Sequence, residues 1–390
     1  MAQYAGDKTV YPADVYMPDD SAEPTAAEFL PAMEGTLDRT ANLDERVKVT
    51  REMASALSFG AAVARGSGAQ KSAWSEFDKL WWNIGAGNDS IAFSTDYGFT
   101  WNASSLAGAT TTAQLVDLDI DDSGAVVVLG SQYSVHYSGG TSGTWTRQTV
   151  FASAPGGTPY IVYDPIHFRW CAAGYDTGQR VHTSTAPNVS WSAATSPLTG
   201  TQRPIMAINK TSGRIILLNT SGGTTIKSAT SDDGGQTWTA RADLVPGISS
   251  LSSSSGHIAL AHSAADGCWL MFVQNGGSTS EVYKSTDDGV TWTGVRTIVL
   301  LNELFLRGPF MKDFAVLGSL WVAYANGKNG VIYSRDKGVT WRASGWRPST
   351  SSTTVNVATG NGMTLLSATI SGSGYAYPSA AKTDLFGTVL

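Results

Sequence analysis

Three arginines and a pair of aspartates carry the most chemistry in this chain. Arg65, Arg203 (in "QRPIMA", 202–207) and Arg307 (in "FLRGPF") sit near runs that read as inner strands. Guanidinium groups converging on one point would bind an anion through bidentate hydrogen bonds. Asp117 or Asp119, in "LVDLDI", could serve in a two-carboxylate glycoside hydrolysis; read structurally, they cap a turn. Glu76, Glu281 and Glu303 are the only glutamates beyond residue 52, so acid/base partners are scarce. Cys171 ("FRWCAAGY") and Cys268 ("GCWLMFV") lie in apolar runs and read as buried small hydrophobes. With five scattered histidines they form no metal-ligand spacing, so no metal and no cofactor is expected.

These residues need a scaffold, and an eight-residue pattern names it. "STDYGFTW" (94–101), "SDDGGQTW" (231–238), "STDDGVTW" (285–292) and "SRDKGVTW" (334–341) share Ser, Asp, Gly, Thr and Trp at one spacing. The aspartate can accept hydrogen bonds from the loop's own N–H groups. The glycine supplies a positive φ, and the tryptophan starts the next strand and buries its ring. Eroded copies occur at "SGGTSGTW" (138–145) and "STAPNVSW" (184–191), and a weaker one at "SAAKTDLF" (379–386). The terminal aromatics are then spaced by 44, 46, 47, 54, 49 and 45 residues. A period in the forties with several strands per repeat implies a propeller.

Between the boxes, segments such as "LVDLDIDDSGAVVVLG" (115–130) and "PIMAINKTSGRIILLN" (204–219) read as strand, polar turn, strand. Adding the strand into each box and the strand leaving it gives four per repeat. The expected fold is all-β: a seven-bladed propeller over 53–390, each box joining third and fourth strands. Six blades, with 379–386 spurious, is the alternative. The first blade takes its inner strand near "SFGAAVARG" (58–66) and its second at "KLWWNIG" (79–85).

The four clean stretches resemble the Asp-box (BNR) repeat of sialidases, sortilin-type receptors, certain glycoside hydrolases and photosystem assembly factors. That resemblance covers roughly 55–390 and implies boxes on the outer rim, away from a central pocket. Asp96, Gly98, Trp101, Asp233, Gly235, Trp238, Asp287, Gly289, Trp292, Asp336, Gly338 and Trp341 are therefore read as structural. A sialidase of this kind would also need an arginine triad, a Tyr–Glu pair, an Asp acid/base and a Phe/Tyr-Arg-Ile-Pro stretch before the first box. The stretch is missing and no Tyr–Glu pair accompanies Arg65, Arg203 and Arg307. A non-enzyme is expected.

Residues 1–52 differ in kind. They hold eleven acids against five bases, the net −6 of the whole chain, and four of its fourteen prolines. The body is thus neutral, which argues against binding nucleic acid or an anionic membrane. "TAAE" (25–28) resembles a capping box, and apolar spacing over about 40–57 suggests one amphipathic helix. The N-terminus has no secretory n-region or h-region, and no run is long enough to span a membrane. An acidic, proline-bearing arm before a rigid β body resembles the layout of bacteriophage tail proteins. On that reading the arm docks on other virion subunits through Tyr11, Val15, Tyr16, Met17, Phe29 and Leu30. The propeller faces outward as a spacer or as a head binding a receptor or host-surface glycan. The alternatives are a sialidase-like hydrolase and a cytoplasmic assembly-factor or receptor-type propeller.

Overall fold

The computed structural model describes residues 63–379 except for short stretches that include 107–114, 152–158, 175–180, 199–203, 245–257, 300–313 and 344–351. Residues 1–62 and 380–390 lie outside the described residues, and with them the acidic arm, its helix and its six apolar anchors. Among the described residues there is no helix.

Twenty-eight strands form seven four-stranded antiparallel sheets, the expected propeller. The first strands of the blades are Ala69–Ser75, Leu115–Ile120, Tyr160–Asp164, Pro204–Asn209, Ile258–Ser263, Phe314–Leu317 and Ser352–Gly360. Each touches the first strands of its two neighbours, so the seven close a ring around a central axis.

The second strands explain why the sequence loses strict alternation there. Leu80–Gly85 and Val126–Gly130 are buried at every residue. A strand covered on both faces by neighbouring blades reads as a continuous apolar run. The core accordingly divides into seven clusters, one between each pair of adjacent blades. Trp81, Trp170, Trp269 and Trp321 on second strands are fully buried, the largest contributors to these interfaces.

Closure differs from the expectation. Val63–Ser67 is not the inner strand of the first blade; it pairs with Ser373–Pro378 as the outermost strand of the seventh. The first blade starts at Ala69–Ser75, and its second strand, Leu80–Gly85, falls where expected. The weak copy at 379–386 therefore leads to no fourth strand of its own blade, because the N-terminal segment already supplies it. Seven blades are present, but the seventh is completed by the opposite end of the chain. The interface it closes is small in apolar terms, with Trp81, Leu365 and Ala376 fully buried. It also holds a buried polar trio: Asn83 Nδ2 donates to Ser72 Oγ (2.6 Å) and Ser367 Oγ (2.9 Å), and the two hydroxyls lie 2.7 Å apart.

Candidate functional site

Each box is the hairpin between third and fourth strands, and its five marked residues form one local network. In the fifth blade the Thr291 N–H donates to Asp287 Oδ1 (2.9 Å) and the Thr291 hydroxyl to Oδ2 (2.6 Å). The Ser285 hydroxyl donates to Asp287 Oδ1 (2.7 Å) and accepts from the Gly289 N–H (2.8 Å). The same bonds recur around Asp96, Asp233 and Asp336. Burial pulls these carboxyls up, but the Thr and Ser donors outweigh it, and all four are held below their ordinary value, Asp287 at about 2. A carboxylate this stabilised is a poor proton donor near neutrality.

The box glycines do more than turn the chain. Gly98, Gly235, Gly289 and Gly338 have φ of 94°, 87°, 86° and 83°. A Cβ on Gly289 would lie 2.2 Å from Ile216 Cδ1, and one on Gly235 would lie 2.6 Å from Cys171 Sγ. Both contacts are with the second strand of the preceding blade. Gly98 of the first blade meets Leu365 of the seventh in the same way. The box therefore stacks each blade on its predecessor. Trp101, Trp238 and Trp341 lock the hairpin by donating Nε1–H to the carbonyl of their own box glycine (2.9–3.1 Å).

The axial carboxylates are also occupied. Asp117 Oδ2 accepts the N–H of Ile161 (2.8 Å) and Asp119 Oδ2 that of Tyr163 (2.8 Å), both on the first strand of the next blade. An inner strand exposes alternate N–H groups along its unpaired edge, and carboxylates spaced two apart match that period. Asp117 also pairs with Lys71 of the first blade, while Lys210 of the fourth reaches Asp119 Oδ1 (3.0 Å). These aspartates tether four blades; they do not cap a turn. Burial pushes the Asp117 carboxyl up, with Lys71 opposing. Neither has a free oxygen pair for attack on a substrate.

A shallow cleft of about 220 Å³ lies between the fourth and fifth blades, lined by Asn209, Thr211, His262, Trp269, Thr286 and Asp288. Asp288 accepts from Trp269 Nε1 (2.6 Å), Asn209 Nδ2 (3.1 Å) and Ser212 Oγ (2.9 Å). Burial holds His262 below its ordinary value, with Asp288 opposing. The cleft is a seam fastened by Asp288. Among the described residues no group of three or more His, Cys, Asp or Glu could hold a metal ion. Cys171 and Cys268 are free and buried, and burial raises both thiols.

Arg65 lies on the rim strand Val63–Ser67, far in topology from the first strands that line the axis. Arg203 and Arg307 lie outside the described residues. What the sequence reading did not single out is a surface. First-to-second-strand turns and box hairpins emerge at the same end of every blade, as antiparallel order requires. Among the described residues the exposed large hydrophobics are Phe77, Tyr97, Phe99, Ile166, Phe168, Val189 and Val339. All seven stand on that turn face, and six belong to the first and third blades. The signal was present as aromatics inside polar turn segments.

The sequence matches no protein-family model and no curated protein. Solved structures share the fold. YCF48 from Cyanidioschyzon merolae is 13% identical, with a TM-score of 0.56 over 83% of this chain and 98% of that one. A structure of YCF48 bound to D1 peptide is 14% identical, with a TM-score of 0.57 over 82% and 94%. The Cps50 (Swd1) propeller domain of Myceliophteria thermophila is 10% identical, with a TM-score of 0.55 over 82% and 98%. At these identities the likeness establishes the propeller.

Proposed function

We propose that the chain is a non-catalytic propeller that binds protein partners, in the manner of an interaction or assembly-factor module. The observation that carries this reading is the grouping of exposed aromatic and aliphatic side chains on one face while the carboxylates are used up in the fold. Solitary exposed hydrophobics need no explanation, but a grouped set marks a contact surface. The similar structures include YCF48 with a D1 peptide and a mitotic checkpoint complex, which is support by analogy of fold. A sialidase-like reading is disfavoured by the rim position of Arg65 and by the occupied Asp117 and Asp119.

A narrower form of the proposal makes the chain a virion component whose residues 1–52 dock on a tail particle. Its support is the layout alone: an acidic, proline-bearing segment before a neutral body. The exposed aromatics would then suit a receptor or glycan. The test is twofold. The full chain should turn over neither sialosides nor common polysaccharides, and it should co-purify in fixed stoichiometry with a protein. Turnover abolished by changing Arg203 or Arg307 would overturn the proposal in favour of the hydrolase.

A further inference from the structure

The turn face of the first three blades carries more than its share of apolar surface. Phe77 is 65% exposed and Phe168 66%, and Tyr97, Phe99, Ile166 and Val189 stand near them in the fold order. Phe77 and Phe168 occupy corresponding first-to-second-strand turns of the first and third blades, with the second blade's turn between. A Cβ on Gly124 of that middle turn would lie 2.9 Å from Phe77 Cδ1, so the turns nest closely.

Two of these aromatics hold a backbone that their side chains disfavour. Phe168 has φ 50°, at the turn position where other blades carry Gly124, Gly213, Gly267 and Gly318 and the first blade carries Lys79 at φ 57°. Tyr97 has φ 62°, where the fourth blade's box has Gly234 and the fifth and sixth have Asp288 and Lys337, each at φ 56°. Both rings stay exposed to solvent, Tyr97 while stacking on Trp74 with ring centroids 6.3 Å apart. Since polar residues hold the same backbone in other blades, it is the exposed apolar side chains, not the φ values, that mark a contact surface.

Charge selects the partner. Glu76, Asp78, Asp96, Asp121 and Asp122 lie on the turns and hairpin of the first two blades, against Lys79, which is paired with Glu76. The acids act as a shared field: after burial, Asp121, Asp122 and Asp164 all help push the Tyr163 hydroxyl up to about 12. Nucleic acid and anionic lipid are repelled by such a surface.

We infer that the turn face of blades one to three docks a basic polypeptide segment whose apolar side chains seat among Phe77, Tyr97 and Phe168. This rests on the interaction reading above and names its site and the chemistry of its partner. The Lys and Arg side chains meet the acids around the aromatics, where cation–π contacts add to charge pairing.

The test uses the intact chain and three fluorescent 14-residue peptides: alternating Lys/Arg with Leu and Trp, the same with Glu for every base, and the basic one with Ser for every apolar residue. The first should bind, weakening at least tenfold between 50 and 300 mM salt, and the other two at least tenfold more weakly. Phe77→Ser with Phe168→Ser should reduce affinity at least tenfold, as should Asp121→Asn with Asp122→Asn. Val339→Ser, on the same face in the sixth blade, should change nothing. Unchanged melting of each variant shows that folding is intact. Equal binding of the acidic peptide, indifference to both double variants, or binding to neutral lipid vesicles through Phe77 and Phe168 would overturn the inference. If a co-purifying partner instead protects another face from hydrogen exchange, this site is wrong while the interaction reading stands.

Discussion

Replacing Asp287 by asparagine preserves the side chain's shape and removes its charge, which isolates what the carboxylate does for its hairpin. In the native protein its carboxyl is held at about 2 against an ordinary 3.8. That displacement caps the ionised form's contribution at about 2.5 kcal/mol. The side chain is exposed, so solvent screening reduces this to about 1 kcal/mol. Losing one acceptor oxygen for the Thr291 hydroxyl adds a few tenths to about 1 kcal/mol. The expected loss is therefore about 1–2 kcal/mol at pH 7. A cooperative unit of roughly 330 residues has an unfolding entropy near 0.7 kcal/mol/K, so Tm should fall by about 1.5–3 °C. Because the folded value is depressed, the contribution is complete above pH 3.8 and is lost as pH falls towards about 2. Calorimetry of both proteins at pH 7, 4 and 2.5 reads this directly: the Tm gap should persist to pH 4 and shrink below it. Asp122→Asn, an exposed acid outside any box, should leave Tm unchanged. Equal Tm at pH 7, or a gap independent of pH, would refute the hairpin account.

Gly289→Ala should cost about 2–4 kcal/mol in urea unfolding, because φ of 86° and a Cβ 2.2 Å from Ile216 Cδ1 both oppose it. Gly267→Ala, with φ 60° and nothing within 4 Å of the added carbon, should cost only about 1 kcal/mol. Similar midpoints for the two would remove the inter-blade role of the box glycine. Asp117→Ala should cost about 3–5 kcal/mol, since it removes the ion pair with Lys71 and the acceptor of the buried N–H of Ile161. Asp117→Asn, keeping an acceptor for Ile161, should cost clearly less; equal losses would mean that the tether contributes nothing.

The parts of the fold legible in the sequence are those governed by local chemistry. A Ser, Asp, Gly, Thr and Trp at fixed spacing can satisfy one another within a single hairpin, so the boxes announce themselves and their period counts the blades. Closure is not local. Val63–Ser67 reads like any other short strand, and nothing in it says whether its partner follows directly or lies some 310 residues on, at Ser373–Pro378. Hence the blade number came out right while the seventh blade's fourth strand was sought at the wrong end of the chain. Asp117 and Asp119 were visible as a pair, but their partners, Ile161 and Tyr163, are backbone groups that no composition reveals. Arg203 and Arg307 lie outside the described residues, so the sequence reading of them as axial anion ligands stands as it was made.

The acidity of the turn face has two sources that differ in meaning. Asp96, Asp233, Asp287 and Asp336 are there because each hairpin needs an acceptor for its threonine and serine donors. Any propeller built on this hairpin acquires negative potential at that end whether or not anything binds there. Asp122 and Glu76 belong to no box, and they cluster beside Phe77, with Phe168 one blade beyond. Blades four and five carry box aspartates yet have no exposed large hydrophobic side chain among the described residues. If folding alone had set the surface, exposed large hydrophobic side chains would be indifferent to blade number. Their concentration on blades one and three separates a surface kept for a partner from one that is a by-product of the repeat.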